Sequence, residues 1–198
     1  MIADAPARPP ARVRGHDDRS RALALVVGMA TLMWAVEVAD LLAGDLDSAG
    51  IRPRDPEGLV GVVASPFLHA SFAHLLGNTI PFVILGAAIA LGGLARVVSV
   101  TLIVAAVGGV GTWLTAPSGT IHIGASGLVF GFAAYLIARG AYTRRALHIG
   151  GGLVVLAVYG TTLVIGLVPT PGVSWQGHLF GALGGVVAAR ALHHGRGI

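Results

Sequence analysis

Long apolar stretches separated by short polar ones run through most of the chain. A hydrocarbon core of about 30 Å needs roughly 20 apolar helical residues. That template fits six times, at residues 21–43, 68–92, 96–115, 126–139, 149–168 and 177–192. The fourth stretch is conspicuously short. The pattern predicts an all-α membrane protein, a bundle of six transmembrane helices within residues 21–194. Met1 to Ser20 is polar, with three prolines and four arginines, and predicts a disordered tail. The apolar run after it has no convincing small-residue cleavage site and is followed by further spans, so it reads as a retained first span rather than a signal peptide. Residues 195–198 read as a short C-terminal tail.

Composition supports the membrane reading. The 198 residues are 55% hydrophobic and only 11% charged, a balance that a water-soluble domain of this size could hardly hide in one core. The absence of cysteine excludes disulfides, thiolate metal sites and cysteine catalysis. No metal or cofactor is expected. All 13 basic residues are arginine, and eleven of them fall on one side of the six spans: Arg8, Arg12, Arg14, Arg19 and Arg21 before the first, Arg96 between the second and third, Arg139, Arg144 and Arg145 between the fourth and fifth, and Arg190 and Arg196 at the end. The other side receives the loop Gly44 to Ser65, where Asp45, Asp47, Asp55 and Glu57 outnumber Arg52 and Arg54, and two loops without arginine, TAPSGTIHIG and PTPGVSWQG. The positive-inside rule then places both termini in the cytoplasm. It also explains the high pI without nucleic-acid binding, because the cations lie where headgroups and orientation require them. A short six-span chain of this kind suits a bacterial inner membrane.

Polar groups in hydrocarbon cost up to a few kcal/mol each unless they find partners, so their positions carry most of the functional information. His16, His148, His193 and His194 fall on the cytoplasmic side; His69, His74, His122 and His178 fall in the outer half or at its mouth. Helical rise gives their depth. Ser126 precedes Arg139 by 13 residues, about 20 Å, and His178 precedes Arg190 by 12, about 18 Å. Asn78 lies 14 residues, about 21 Å, before the Gly92–Gly93 pair that ends the second span. These three residues share one layer some 10 Å below the outer surface, with His74 one turn above Asn78 on the same face. Gly127 and Gly131 beside Ser126, and Gly181 and Gly185 after His178, form small-xxx-small pairs that let the fourth and sixth spans approach closely.

This layer has a chemical reading. A serine becomes a useful nucleophile when a neutral imidazole can take its proton. Ser126 also opens a helix, where free N–H groups favour a developing oxyanion, and Asn78 and His74 could donate further bonds to it. No carboxylate lies near His178 or at its depth on spans two to six, so the pair would be a Ser-His dyad without the usual aspartate. Phe130, one turn after Ser126, could orient the imidazole by stacking. Blander readings compete: Ser126 as a packing residue bonded to its own backbone, His178 as a buried histidine satisfied by a carbonyl, and Asn78 and His74 as interhelical glue. The shared depth and the surrounding motifs weigh against them. His122 reads as a mouth residue facing water, and Glu37 and Asp40, near the outer end of the first span, as structural groups bonded to neighbouring helices or to the loop.

The sequences HASFAHLLGN (His69 to Asn78), GASG (Gly124 to Gly127) heading the short fourth span, and GHLFGALGG (Gly177 to Gly185) opening the sixth together resemble those of rhomboid intramembrane serine proteases in their six-span form. GASG alone would be weak evidence; three motifs in order and at one depth are strong. The resemblance covers roughly Arg21 to His194. It implies Ser126 as nucleophile and His178 as general base, an oxyanion site formed by Asn78, His74 and the Ser126 backbone N–H, and supporting roles for Gly124, Gly127, Phe130 and Gly181. Phe130 stands where tyrosine is often found, so stacking is kept and a phenolic hydrogen bond is not. His69 matches a family histidine with a structural role. Many members carry a Trp-Arg pair in the first outer loop; here the loop reads GIRPRDPEGLVGVVASPFLH. The implied activity is cleavage of transmembrane segments of membrane proteins near the outer face. A non-catalytic relative that binds or chaperones membrane helices is the alternative, although such relatives typically lose the serine or histidine. A small transporter would call for deep carboxylates and paired broken helices, which the pattern does not provide.

Overall fold

A computed structural model describes residues 11–194. Among them the regular structure is helical: α1 (Ala11–Ala43), α2 (Gly61–Ala64), α3 (Phe72–Ala90), α4 (Leu94–Thr115), α5 (Ser126–Thr143), α6 (Ala146–Ile165) and α7 (Trp175–His194). Three 3-10 turns, Leu46–Ala49, Pro56–Val60 and Ser65–Phe67, and the one-turn α2 shape the long 44–71 loop. α1 from His16 onward, α3, α4 and α6 are each long and apolar enough to cross a membrane. α5 and α7 coincide with the other two expected spans but are less apolar. The reason is their position: α5 buries Leu128, Val129, Phe130, Phe132, Ala133 and Tyr135 against helices on several sides. A helix enclosed by protein does not need a lipid-compatible surface. α6 is the opposite case, burying only Gly152 and Val155.

The α5–α7 contact is built on glycine. A Cβ on Gly181 would run into the Gly127 carbonyl, and one on Gly185 into the Gly131 carbonyl. The two small-residue pairs therefore face each other, and the helix backbones touch where side chains would otherwise hold them apart. Toward α1, α3 and α4 the core is conventional, with Met33, Phe82, Leu85, Ile89, Val100 and Phe132 fully enclosed and the Phe82 and Phe132 rings 5.4 Å apart.

α1 starts ten residues before the expected span, so part of the polar stretch read as a disordered tail is helical. Extending a formed helix costs far less than nucleating one, and Asp18 fixes this extension by accepting the Leu94 N–H at 3.3 Å. Residues 1–10 and the expected tail at 195–198 lie outside the described residues. α3 starts four residues later than expected, because Ser71 is extended and caps it, its Oγ accepting the His74 N–H at 3.2 Å.

The 44–71 loop is tied down by polar contacts. Arg52 pairs with Asp55 at 2.7 Å and Glu57 at 3.1 Å. Arg54 reaches Ser118 Oγ at 2.6 Å and the Leu114 carbonyl at 3.0 Å, and Trp113 Nε1–H donates to the Asp55 carbonyl at 2.8 Å. Arg52 holds the Asp55 carboxyl below the usual carboxylate range through their hydrogen bond. Asp40 accepts the Leu46 N–H at 2.6 Å, the loop contact expected for it, while the Glu37 side chain is enclosed.

Candidate active site

Ser126 is the first residue of α5 and His178 lies in the first turn of α7. The chain reaches Ser126 through Gly124, whose φ of 109° suits glycine and few other residues. Glycine is required there for space as well: a Cβ would lie 2.7 Å from His74 Cε1 and 3.4 Å from Asn78 Nδ2. The loop is held by two bonds, Gly124 N–H to the Ser65 carbonyl at 2.8 Å and Ala125 N–H to His69 Nε2 at 3.3 Å. His69 thus supports the backbone next to Ser126, and its ring meets that of His74 edge-on at 5.1 Å.

Ser126 Oγ lies 2.9 Å from His178 Nε2, and His178 Nδ1 lies 2.7 Å from the Gly166 carbonyl oxygen. The tautomer follows from this. A carbonyl only accepts, so Nδ1 carries the proton, and the neutral ring presents the Nε2 lone pair to the Ser126 hydroxyl. The Phe130 ring stacks on the imidazole with centroids 4.1 Å apart and planes 7° from parallel. His178 is 8% exposed and Asn78 6%. Asn78 Nδ2 is buried without a hydrogen-bond partner among the described residues. A buried amide donor gains about 1–3 kcal/mol from an acceptor, so this one is placed to receive one.

Ser126, His178, Asn78, His74, Phe130 and Gly166 all line one cleft of about 1190 Å³. The sequence pattern names no acceptor for the hydrogen bond at His178 Nδ1. Gly166, at the end of α6, fills that place with its main chain. Its signal in the sequence is faint: helix C-termini leave carbonyls unpaired, and a glycine allows a ring to come close. A Cβ here would collide with Phe130 Cζ and lie 3.0 Å from His178 Nδ1.

His122 is partly exposed and lines the cleft, with Nε2 2.8 Å from Thr120 Oγ1 and Nδ1 2.7 Å from Ser174 Oγ, partners that its place in the sequence does not reveal. Its backbone pairs with Ile51 in an isolated antiparallel bridge.

A serine hydroxyl held against an imidazole whose other nitrogen is bonded to a carbonyl can give up its proton for nucleophilic attack. Residues 56–195 match the Rhomboid domain, and the chain belongs to the rhomboid family. An uncharacterized protein of Mycobacterium tuberculosis is 48% identical over 177 residues, which cover 84% of this chain and 73% of that protein. One from Mycobacterium leprae is 46% identical over 171 residues, covering 81% and 67%. A Bacillus subtilis protein named as a candidate rhomboid protease is 39% identical over 71 residues, 35% of this chain and 36% of its own. The family and the apolar helices together make this an integral membrane protein.

Proposed function

We infer that the protein is an intramembrane serine endopeptidase that cleaves transmembrane segments of membrane proteins near the outer face of the bilayer. In this reading α1 and α3 to α7 are the six spans, both termini are cytoplasmic, and the setting is a bacterial inner membrane. The observation that carries the reading is the 2.9 Å contact between Ser126 Oγ and His178 Nε2, with Nδ1 committed to the Gly166 carbonyl.

Ser126 Oγ attacks the scissile carbonyl carbon while Nε2 takes its proton; the imidazolium then delivers that proton to the leaving amine. The Gly166 carbonyl stabilises the imidazolium through Nδ1–H, in place of a buried carboxylate, and Phe130 holds the ring plane. The oxyanion is received by the Ser126 N–H at the start of α5, the Asn78 amide and His74. Water then hydrolyses the acyl-enzyme with His178 as base. The enclosed Asn78 donor explains itself in this scheme, since its partner forms only during the reaction.

A substrate helix has its carbonyls bonded internally, so cleavage requires local unwinding. Substrates with glycine or proline near the cut are favoured, because these residues cost a helix about 1 and 3 kcal/mol relative to alanine. The test is co-expression with a single-span reporter. The wild type releases its fragment; Ser126→Ala and His178→Ala do not. Release that persists in Ser126→Ala overturns the reading. Leucine in place of the substrate's helix breakers slows release, and an unchanged rate contradicts the unwinding step.

A further inference from the structure

A second serine-histidine contact, Ser174 Oγ to His122 Nδ1 at 2.7 Å, lies at the mouth of the same cleft. His122 is four residues before Ser126 and Ser174 four residues before His178. We propose that His122 and Ser174 are positioning residues: a latch that fixes the loop leading into Ser126 against the cap of the helix that carries His178. The inference rests on Ser126 and His178 being the reacting pair.

The hydrogen bonds form a continuous chain with every proton assigned. Thr120 O–H donates to the Pro117 carbonyl at 2.6 Å, so Thr120 Oγ1 accepts from His122 Nε2–H. His122 Nδ1 then has a lone pair and accepts the Ser174 O–H. Ser174 Oγ accepts the Gly177 N–H at 3.3 Å, and the Ser174 carbonyl accepts the His178 N–H at 3.1 Å. The latch therefore ends on the backbone of His178 itself. At its other end, reciprocal backbone bonds of 3.0 and 2.9 Å between Ile51 and His122 anchor it to the 44–71 loop. Burial lowers the His122 basicity, which keeps the ring in the neutral form that this proton arrangement needs.

The wall at this point is thin. His122, Ser126 and Ser174 line both the large cleft and a separate cavity of about 40 Å³ behind it. Space on both sides of these residues leaves directional bonds to fix their side chains. Placement matters because a hydroxyl and imidazole transfer a proton only at hydrogen-bond range.

The latch separates from simple structural support in kinetics. Full-length protein in proteoliposomes is assayed for kcat and KM on a single-span substrate, and for the rate at which a fluorophosphonate modifies Ser126, both normalised to the final count of labelled sites. His122→Ala and Ser174→Ala lower kcat and the labelling rate about threefold to tenfold, as expected for one hydrogen bond, with KM unchanged. The double variant is no slower than the slower single one, because the partners act as a unit. His122→Asn, which still reaches Ser174, and Ser174→Thr recover most of the rate. If the alanine variants do not fold, His122→Gln, which keeps the Thr120 partner and loses Ser174, has to show the same loss. Wild-type kcat per labelled site in the alanine or glutamine variants, additive losses, or failure of His122→Asn to recover the rate overturns the latch. An active Ser126→Ala instead overturns the reading on which the latch rests.

Discussion

Ser126 with His178, and Ser174 with His122, are two serine-histidine pairs 2.9 and 2.7 Å apart, each joining residues 52 positions apart in the chain. Distance and residue type do not distinguish them; the remaining hydrogen bonds do. His178 gives its Nδ1 proton to a carbonyl and keeps Nε2 for the hydroxyl, beside the unpaired Asn78 amide. In the other pair both ring nitrogens are engaged by side-chain hydroxyls, and Ser174 Oγ also caps α7. The Ser174 hydroxyl is restrained because it also accepts a cap bond, whereas Ser126 stands at a helix start in the cleft that Asn78 also lines. In the proposed reading the first pair serves proton transfer to a reacting group, and the second holds two loops together.

The largest expected effect separates the pairs outright. Ser126→Ala and His178→Ala lower cleavage at least about 10³-fold, while Ser174→Ala stays within about tenfold; comparable losses in all three would erase the distinction. Next, Asn78→Ala costs about 10²-fold in kcat, the scale of a lost oxyanion donor, with KM little changed. A loss confined to KM would make Asn78 a substrate-binding group. Gly166→Val forces a side chain into Phe130 and His178, and is expected to cost more than tenfold in kcat while Gly151→Ala, where a Cβ meets nothing, costs less. Phe130→Leu removes the stacking, worth about 0.5–1.5 kcal/mol, and slows cleavage about threefold to tenfold; Phe130→Tyr keeps the rate.

The smallest effect lies in the 44–71 loop. Asp55 has a depressed pKa when folded, so its pairing with Arg52 supports the fold at any pH above the usual carboxylate range and is lost as the pH falls through the lowered value. Asp55→Asn is expected to lower the melting temperature slightly at neutral pH, and the difference from wild type should close in strong acid. A constant difference would show that the effect does not come from the Asp55 charge.

What could be read from the sequence divides along physical lines. Periodicity and length located α3 to α7 to within a few residues, because apolar runs are set by composition. Helical rise placed Ser126, Asn78 and His178 at one depth, and the structure brings all three to one cleft. The Gly127–Gly131 and Gly181–Gly185 pairs were readable because close approach leaves a compositional trace. Gly166 was not, since its part is played by a carbonyl that every residue possesses. The bond from His122 to Ser174 was not readable, because Ser174 comes from a different loop and spacing along the chain does not reveal which loops meet. The helical extension of α1 is tied by Asp18 bonding to the first residue of α4, a contact between residues 76 apart.

The most direct test of the central claim is to map the site of a fluorophosphonate adduct by mass spectrometry in wild type, His178→Ala and His122→Ala. The account predicts the adduct on Ser126, absent in His178→Ala and formed more slowly but at the same residue in His122→Ala. An adduct on Ser174, or labelling of Ser126 that proceeds equally well without His178, would contradict it.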